Sequence, residues 1–153
     1  MGRLQYSWGG IKLEITYKDT KIFTENQLKE LFVSVNWKSG EYPKRLIAAM
    51  ENSSIVISAW NGEELIGLIR SLDDGATTAF IHYLLVKPNY QRYHIGSTLL
   101  SKLLKHYENY LYVKIMPSDK KTIPFYQKFG FEIYNNYSAM EIDRLDTSLD
   151  ELP

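Results

Sequence analysis

Apolar and polar positions change their spacing several times along the chain, and each change marks a predicted element. Residues 11–17 alternate between apolar and polar side chains, as a half-buried strand does. Residues 23–35 switch to helical spacing, and Thr24 begins a capping-box pattern with a glutamine three residues later. Residues 43–52 form a second short helical pattern with Pro43 in its first turn, where proline fits a helix. The N-terminal third therefore predicts one strand followed by two helices.

Three strands are predicted next, joined by short turns. Residues 54–60 and 64–72 flank Asn61-Gly62, a pair typical of two-residue type I′ hairpins. A second turn at 73–75 leads into the apolar segment 77–86. Strands that follow one another through turns this short pair antiparallel, so we expect a meander.

The spacing then changes to that of a strand–helix–strand unit. A helix is predicted over residues 95–107 and a strand over 110–115, and such a unit pairs its strands in parallel through a right-handed crossover. A short helix is predicted from residue 122 to a glycine at its end. Two closing strands are predicted over 131–135 and 138–143.

Together these elements predict one α+β domain over residues 1–146, followed by a polar tail over 147–153. We expect three layers, in which a mixed, mostly antiparallel sheet of about seven strands is covered by about four helices. No repeat, low-complexity tract or linker divides the chain.

Composition narrows the class of protein. The chain has 153 residues, of which 44% are hydrophobic, and this suits one domain with a core. Lys plus Arg equals Asp plus Glu at 18 each, so net charge gives no field that would recruit nucleic acid or an acidic membrane. The lack of cysteine excludes disulfides, thiolate metal sites and cysteine nucleophiles. No stretch resembles a membrane span or a secretory leader, so we expect a cytoplasmic protein without a metal, and a homodimer is left open.

The segment 79–86 is apolar at nearly every position, which is typical of a central strand. Strict alternation would place His82, Leu84 and Val86 on one face and Tyr83 on the other, together with Ile81 and Leu85. The strand runs through a short polar loop into the predicted helix, and a strand–loop–helix junction is a common phosphate site. Ligands of such sheets bind beyond the carboxyl ends of parallel strands. The end of this strand and the following loop are therefore the best place for a site.

Two motifs flank this place. The first runs from Gln91 to Gly96 in the loop, and the second is IPFYQKFGF at residues 123–131. In this order around a crossover, they make the chain resemble the GNAT superfamily of acetyl-CoA-dependent N-acetyltransferases. The resemblance covers nearly the whole chain. Its departure is His94, which stands where the family's loop has its first glycine.

The resemblance implies that the chain binds acetyl-CoA. Backbone amides of the loop would bind the pyrophosphate, and the end of the preceding strand would pair with pantetheine as an added strand does. His94 would either place a hydrogen bond and charge beside the phosphates or point to solvent. The residues that the resemblance assigns to the cofactor are Leu84, Leu85, Val86, Gln91, Arg92, Tyr93, His94, Ile95, Gly96, Ser97, Tyr126 and Lys128.

The resemblance also implies catalytic roles. Tyr126, by its place in the second motif, is the candidate general acid that protonates the leaving thiolate. His82 is the candidate base, because the family often carries an acidic residue or a histidine on this strand, and a core histidine is the alternative. Trp37 and Tyr42 are candidate walls of the acceptor pocket, or else anchors of a surface loop.

The leading hypothesis is an enzyme that transfers the acetyl group from acetyl-CoA to a primary amine, of a small molecule or a peptide, within a ternary complex. The lack of cysteine excludes an acetyl-cysteine intermediate. The alternative is a non-catalytic CoA-binding regulatory module of the same fold. A third hypothesis, a nucleotide- or phosphate-binding domain, is disfavoured because the chain has no GxGxxG or P-loop motif. The sequence does not select the acceptor amine.

Overall fold

The computed structural model describes residues 3–8 and 11–145. The strands in these residues are β1 (Arg3–Trp8), β2 (Ile11–Lys18), β3 (Ile55–Asn61), β4 (Glu64–Asp73), β5 (Thr78–Val86) and β6 (Tyr112–Ile115). The α-helices are α1 (Glu25–Ser34), α2 (Pro43–Glu51), α3 (Ile95–Leu104) and α4 (Ile123–Gln127). None of the helices in the described part of the chain is long and apolar enough to cross a membrane.

The two early helices begin where the sequence predicts. The Thr24 hydroxyl accepts the Gln27 N–H at 3.1 Å, and the Gln27 side-chain oxygen accepts the Thr24 N–H at 2.9 Å. The predicted capping box of α1 is therefore confirmed. Pro43 occupies the first position of α2, as predicted.

The strands lie in the sheet in chain order, from β1 at one edge to β6 at the other. All neighbours are antiparallel except β5 and β6, which are parallel and are connected through α3. The predicted meander and the parallel pairing across a helical connection are confirmed, whereas the right-handed sense of the crossover stays a prediction. The predicted type I′ turn is wrong, because the two turn residues are Gly62 and Glu63 and only Gly62 has a positive φ, of 59°. A glycine at the first of the two turn positions is the preference of a type II′ turn, which follows the strand twist equally well.

Helices cover both faces of the sheet, which confirms the three-layer α+β prediction. On one face, α1 and α2 bury a cluster that includes Phe32 and Leu68. On the other face, α3 and α4 bury a second cluster that includes Ile69, Ile81 and Leu99. The sheet therefore contributes side chains to two separate cores, one on each face. A gap between two of its strands would lie between these cores.

A β-bulge in β5 shifts the side-chain alternation at His82. Arg70 pairs with Tyr83, and the next residue, Ser71, pairs with Ile81, so His82 is the extra residue. Ile81 packs in the cluster under α3, whereas Tyr83 packs against the cluster under α1 and α2. The predicted strict alternation over 79–86 is wrong, because a bulge inserts one residue and reverses the phase of the pattern.

The predicted count of about seven strands is not confirmed. β1 was not predicted, and the predicted closing strands at 131–135 and 138–143 are not strands. The exposed fraction is 57% for Ile133 and 90% for Met140. Alternating apolar positions show that a segment suits a half-buried strand, but a strand forms only against a partner edge. The predicted tail, 147–153, lies outside the described residues.

Candidate active site

The parallel strands β5 and β6 separate halfway along β5. Their pairing begins with Thr78 and Tyr112 and ends with Ile81 and Ile115. Beyond this point, β5 keeps its pairing with β4 but pairs with no other strand of the described residues. The separation opens a cleft of about 1100 Å³ between residues 82–86 and the chain that follows β6. Apart from the Val86 carbonyl, which accepts a hydrogen bond from the Gln91 side chain, backbone groups on this side of β5 can pair with an extended ligand, as with an added strand.

The N-terminus of α3 lies beside the end of this free edge. His94 is the residue at its N-cap, and the His94 side chain makes no capping hydrogen bond. The amides of Ile95, Gly96 and Ser97 are in the first turn and have no intrahelical acceptor. The dipole of this ten-residue helix adds partial positive charge at the same end. These donors and this charge are the physical requirements of a phosphate site.

The loop before α3 takes a glycine-like backbone conformation. His94 has φ 56° and ψ 22°, in the left-handed region, and Arg92 has φ 87°. The His94 carbonyl accepts the N–H of Thr98 at 3.0 Å and the Thr98 hydroxyl at 2.9 Å. Histidine is among the residues that adopt the left-handed region more readily than most. The position therefore has a backbone conformation that favours glycine although it holds a histidine.

Gly96 keeps the first turn of α3 open. A Cβ at Gly96 would lie 3.8 Å from Cζ of Phe125 and 4.0 Å from Cγ2 of Val86, which are ordinary contact distances. Its φ also lies outside the left-handed region. Packing within the protein therefore does not require glycine here. A ligand that approaches the backbone closely would explain why the residue is glycine.

The structure brings part of the predicted site together in the cleft. The predicted residues that line the cleft are Trp37, Tyr42, His82, Leu84, Leu85, Val86, Gln91 and Tyr126. Seven others lie outside the cleft wall: Arg92, Tyr93, His94, Ile95, Gly96, Ser97 and Lys128. The side chain of Ile95 is a core side chain, 2% exposed, so only its backbone can contact a ligand.

Tyr126 reaches the cleft from α4. Its ring packs edge-on against Phe125 and Phe131, with centroid distances of 5.0 and 5.9 Å. Burial raises the pKa of the Tyr126 hydroxyl to about 12. The hydroxyl is therefore protonated throughout the neutral range.

His82 lies at the bulge between two aromatic rings. Its ring centroid is 5.9 Å from that of Phe80 and 4.2 Å from that of Tyr83. A guanidinium N–H of Arg70 donates to its Nδ1. Burial, with the positive charge of Arg70 as the smaller cause, lowers the pKa of His82 to about 4. His82 is nevertheless partly exposed and lines the cleft. The buried part of its ring is therefore the part that contacts Arg70.

Trp37 is both a loop anchor and a cleft wall. Its ring lies 6.0 Å from Phe32 and 5.6 Å from Tyr83, measured between centroids. Tyr42 is half-buried at the start of α2 and also lines the cleft. Trp37 is therefore confirmed as a loop anchor, and its role as a wall of the acceptor pocket stays a prediction.

Two features of the cleft were missed by sequence reasoning. Arg70 lies beneath His82, and the signal for it was a charged residue inside the apolar strand 64–72. Residue 139 and residues 141–145 contribute to the cleft wall, and the strand predicted over 138–143 hid this role. Among the residues that the structure describes, no group of three or more potential metal ligands occurs.

The fold and the cleft define a class of protein. A free strand edge that ends at an uncapped helix N-terminus suits a long ligand with phosphates at one end and an extended arm at the other. Tyr126, whose hydroxyl is protonated at neutral pH, lines the same cleft and could supply a proton there. This is the arrangement of an acyl transferase.

Comparison with known sequences gives the family. Residues 21–131 match the model described as the acetyltransferase (GNAT) family, and the chain belongs to this family. Members of the family use acetyl-CoA as the acyl donor, so the chain is a GNAT acetyltransferase.

Individual relatives agree with this assignment. The uncharacterized N-acetyltransferase ycf52 of Porphyra purpurea is 27% identical over 134 residues, which cover 84% of this chain and 76% of the relative. Histone acetyltransferase TAP1 of Glycine max is 33% identical over 117 residues, 69% of this chain but only 50% of that protein. The structure of a GNAT-family acetyltransferase from Streptococcus pneumoniae TIGR4 superimposes with a TM-score of 0.73 at 30% identity, covering 85% of this chain and 98% of that one.

Proposed function

We propose that the protein transfers the acetyl group of acetyl-CoA to a primary amine by direct attack within a ternary complex. The observation that carries the proposal is the free edge of β5, which ends beside the open amides of α3. One continuous surface thus offers strand pairing for an extended arm and N–H donors for phosphates. The absence of cysteine leaves no thiol for an acetyl-cysteine intermediate.

The residues present fit the donor. Backbone groups of Leu84, Leu85 and Val86 would hold its pantetheine arm, and the loop from Gln91 to Ser97 would hold its pyrophosphate. The Gln91 side-chain amide donates to the Val86 carbonyl at 3.1 Å and so fixes the loop to the strand end. Arg92 and Lys128 are exposed cations near this end and would meet the remaining phosphate.

Acetyl-CoA, when bound, supplies a thioester whose acetyl group passes to the amine nitrogen while the sulfur leaves. Tyr126 is the proposed acid, because it lines the cleft and its hydroxyl stays protonated at neutral pH. The neutral amine loses one proton and the leaving sulfur gains one, so the reaction consumes no proton overall. A hydroxyl with a pKa of about 12 is a weak acid, and its proton must be replaced by the one that the amine gives up.

The role of His82 as the base stays a prediction. Because the pKa of His82 is about 4, the imidazole is neutral at pH 7, as a base must be. It takes a proton from an ammonium group of pKa about 10 unfavourably, since the difference is about six units. If the small neutral fraction of the amine binds instead, no base is needed to deprotonate an ammonium group.

The acceptor would lie at the end of the cleft between Trp37, Tyr42 and residues 139–145. Aromatic rings there offer flat apolar walls, and Glu141 and Asp143 offer negative charge for an ammonium group. The curated relative named as a histone acetyltransferase suggests a peptide lysine as one candidate, beside small amines. This chain spans half of that protein, so both classes belong in the test.

A binding experiment followed by a screen tests the proposal. CoA and acetyl-CoA should each raise the melting temperature, because a ligand at 100 times its Kd adds about 2.7 kcal/mol to the free energy of unfolding. Thiol release from acetyl-CoA is then measured with polyamines, aminoglycosides, amino acids and lysine peptides.

The outcomes separate the two functions that share the fold. Binding together with acceptor-dependent thiol release supports the enzyme. Binding with no release for any acceptor, and no effect of Tyr126→Phe on the background rate, favours the regulatory CoA-binding module. No melting shift with either compound at millimolar concentration contradicts both.

A further inference from the structure

Arg70 is a buried arginine on β4 without a carboxylate partner. It is 7% exposed, and no ion pair joins it to a carboxylate of the described residues. Its contacts are the Ser53 hydroxyl at 3.5 Å, Nδ1 of His82, and the ring of Tyr83, whose centroid lies 4.7 Å from the guanidinium carbon. The guanidinium is therefore directed at the imidazole that lines the cleft.

The hydrogen bond between Arg70 and His82 can have only one direction, from the guanidinium to the imidazole. A guanidinium has five N–H donors and no acceptor, so Nδ1 of His82 must accept with its lone pair. A neutral imidazole carries a single proton, which is then on Nε2. The lone pair that a general base would use is already occupied by Arg70.

We infer that Arg70 is a positioning residue that holds His82 as the Nε2–H tautomer, so that His82 presents a hydrogen-bond donor to the cleft instead of a base. The lowered pKa of His82 agrees with this, because a proton on Nδ1 would face an N–H of a cation. The tautomer is a property of the free chain, whereas its use on an acceptor amine rests on the proposed function.

The inference narrows the acceptor. An N–H donor is satisfied by an oxygen, so we expect an amine with a carbonyl, hydroxyl or carboxylate oxygen close to the nitrogen. Other charged side chains also face the cleft, from the loop before α2, from α2 and from the C-terminal segment: Lys38, Arg45, Glu141, Asp143 and Arg144. Arg70 differs from them because it is buried beneath the imidazole and contacts it directly.

Nitrogen NMR of the free protein tests the tautomer without an acceptor. The chain has three histidines, so long-range 1H–15N spectra of the labelled protein contain three imidazole patterns. The variants His94→Asn and His106→Asn assign two of them, and the third belongs to His82. We expect Nδ1 of His82 to show an unprotonated shift and Nε2 a protonated one, unchanged from pH 8 to pH 5. A pattern with the proton on Nδ1, or a titration midpoint at about 6.5, the ordinary value for histidine, would overturn the inference.

Two variants separate positioning from a merely structural role. Arg70→Met removes the donor and the buried charge while keeping an apolar chain, and such replacements of buried charge are often tolerated. In this variant we expect His82 to show both tautomers, and its titration midpoint to rise only part of the way toward 6.5, because burial, the larger cause of the lowered pKa, remains. Arg70→Lys keeps a donor and a charge, so the wild-type pattern should return at least in part. If Arg70→Met folds and leaves the His82 spectrum unchanged, Arg70 does not set the tautomer. If it does not fold, the wild-type and Arg70→Lys spectra decide the question.

Activity adds a separate readout once an acceptor is found. A donor role predicts that His82→Gln, which keeps an N–H donor, retains at least about tenfold more kcat/KM than His82→Ala, equal to about 1.4 kcal/mol. A base role predicts equal losses, because an amide does not take up a proton. Failure of this comparison with normal acetyl-CoA turnover would reject the donor role and leave the proposed function intact.

Discussion

Ile81 of β5 and Ile115 of β6 are the last residues that the two parallel strands pair. His82, the next residue, is the extra residue of a bulge, so the pairing on one side ends where the pairing on the other is interrupted. A bulge bends its strand and increases the local twist, which turns the end of β5 away from β6. One inserted residue in a central strand thus coincides with the start of the cleft.

Gly96→Ala tests whether the first turn of α3 binds phosphate. A Cβ there makes ordinary contacts within the protein, so the melting temperature without ligand should change little. The affinity for CoA should fall by about tenfold or more, or about 1.4 kcal/mol, because the methyl group stands over the open amides. Isothermal titration calorimetry measures the affinity.

Gly40→Ala is the matched control. A Cβ at Gly40 would lie 3.0 Å from Cβ of Phe32 and 3.0 Å from Cγ2 of Val33, both on α1 and not on α3. This variant should lose stability, whereas the affinity of its folded fraction for CoA should remain. Unchanged CoA binding in Gly96→Ala would remove the α3 N-terminus from the phosphate site.

Substitutions at His94 separate backbone from side-chain effects. His94 holds a φ of 56°, a conformation that costs an ordinary residue about 1–2 kcal/mol but suits glycine. If backbone amides alone bind the pyrophosphate, His94→Gly should match the wild-type affinity for CoA, and His94→Ala should be weaker. Equal weakening by glycine and alanine would show instead that the imidazole contacts the phosphates. Calorimetry at pH 6 and pH 8 makes the comparison.

Tyr126→Phe tests the acid. A donor to the leaving thiolate acts in the transition state, so kcat should fall by about 10²–10⁴ with little change in CoA affinity. Because the pKa of Tyr126 is raised to about 12, the wild-type rate should show no loss from its ionisation below about pH 11. Steady-state thiol release across pH 6–10 checks both expectations. A variant as fast as the wild type would mean that another group or water supplies the proton.

The free energy of unfolding should depend on Asp73 in acid. Burial alone would raise the pKa of Asp73, but hydrogen bonds from Tyr107, the Gly75 amide, Tyr110 and Ser54 outweigh it and lower the pKa. A carboxylate whose pKa is lowered by folding stabilises the folded protein at pH values above its pKa in the unfolded chain. This contribution is lost as the pH falls through the pKa of the folded state. Tyr107→Phe should therefore destabilise by about 1–3 kcal/mol at pH 7, and by less below pH 4.

Tyr110→Phe is the matched variant for this network. Its hydroxyl donates to the same carboxylate at 3.0 Å but lies in a more exposed position than that of Tyr107. Its cost at pH 7 should be the smaller of the two, and urea unfolding at several pH values measures both. Equal costs at pH 3 and pH 7 would separate both hydroxyls from the ionisation of Asp73.

Local sequence patterns predicted much of the fold because they reflect interactions between residues that are close in the chain. Thr24 and Gln27 satisfy each other within one turn, and the apolar stripes of α1 and α3 have the spacing of a helix. The bulge at His82 was beyond such patterns, because pairing with β4 determines it and the strand sequence carries no local mark of it. The closing strands failed for the same reason, since a period of two does not supply a partner.

The residues of the candidate site also differ in whether the sequence alone could place them. The motif residues Gln91, Gly96 and Tyr126 could be placed from sequence because each sits in a short continuous segment. The pairing of Arg70 with His82 joins residues that are twelve positions apart on neighbouring strands. Only the register of β4 against β5 brings them together, and the bulge sets that register.

The free edge of β5 carries a risk of aggregation. An unpaired strand edge in apolar surroundings is a template for another chain, and here it lies within a cleft that Leu84 and Val86 line. Residues 82–86 hold no lysine or proline, and beyond the bulge at His82 the edge is covered only by the cleft walls and by what fills the cleft. CoA in the buffer should therefore keep the purified protein dispersed on storage, and its removal should promote self-association.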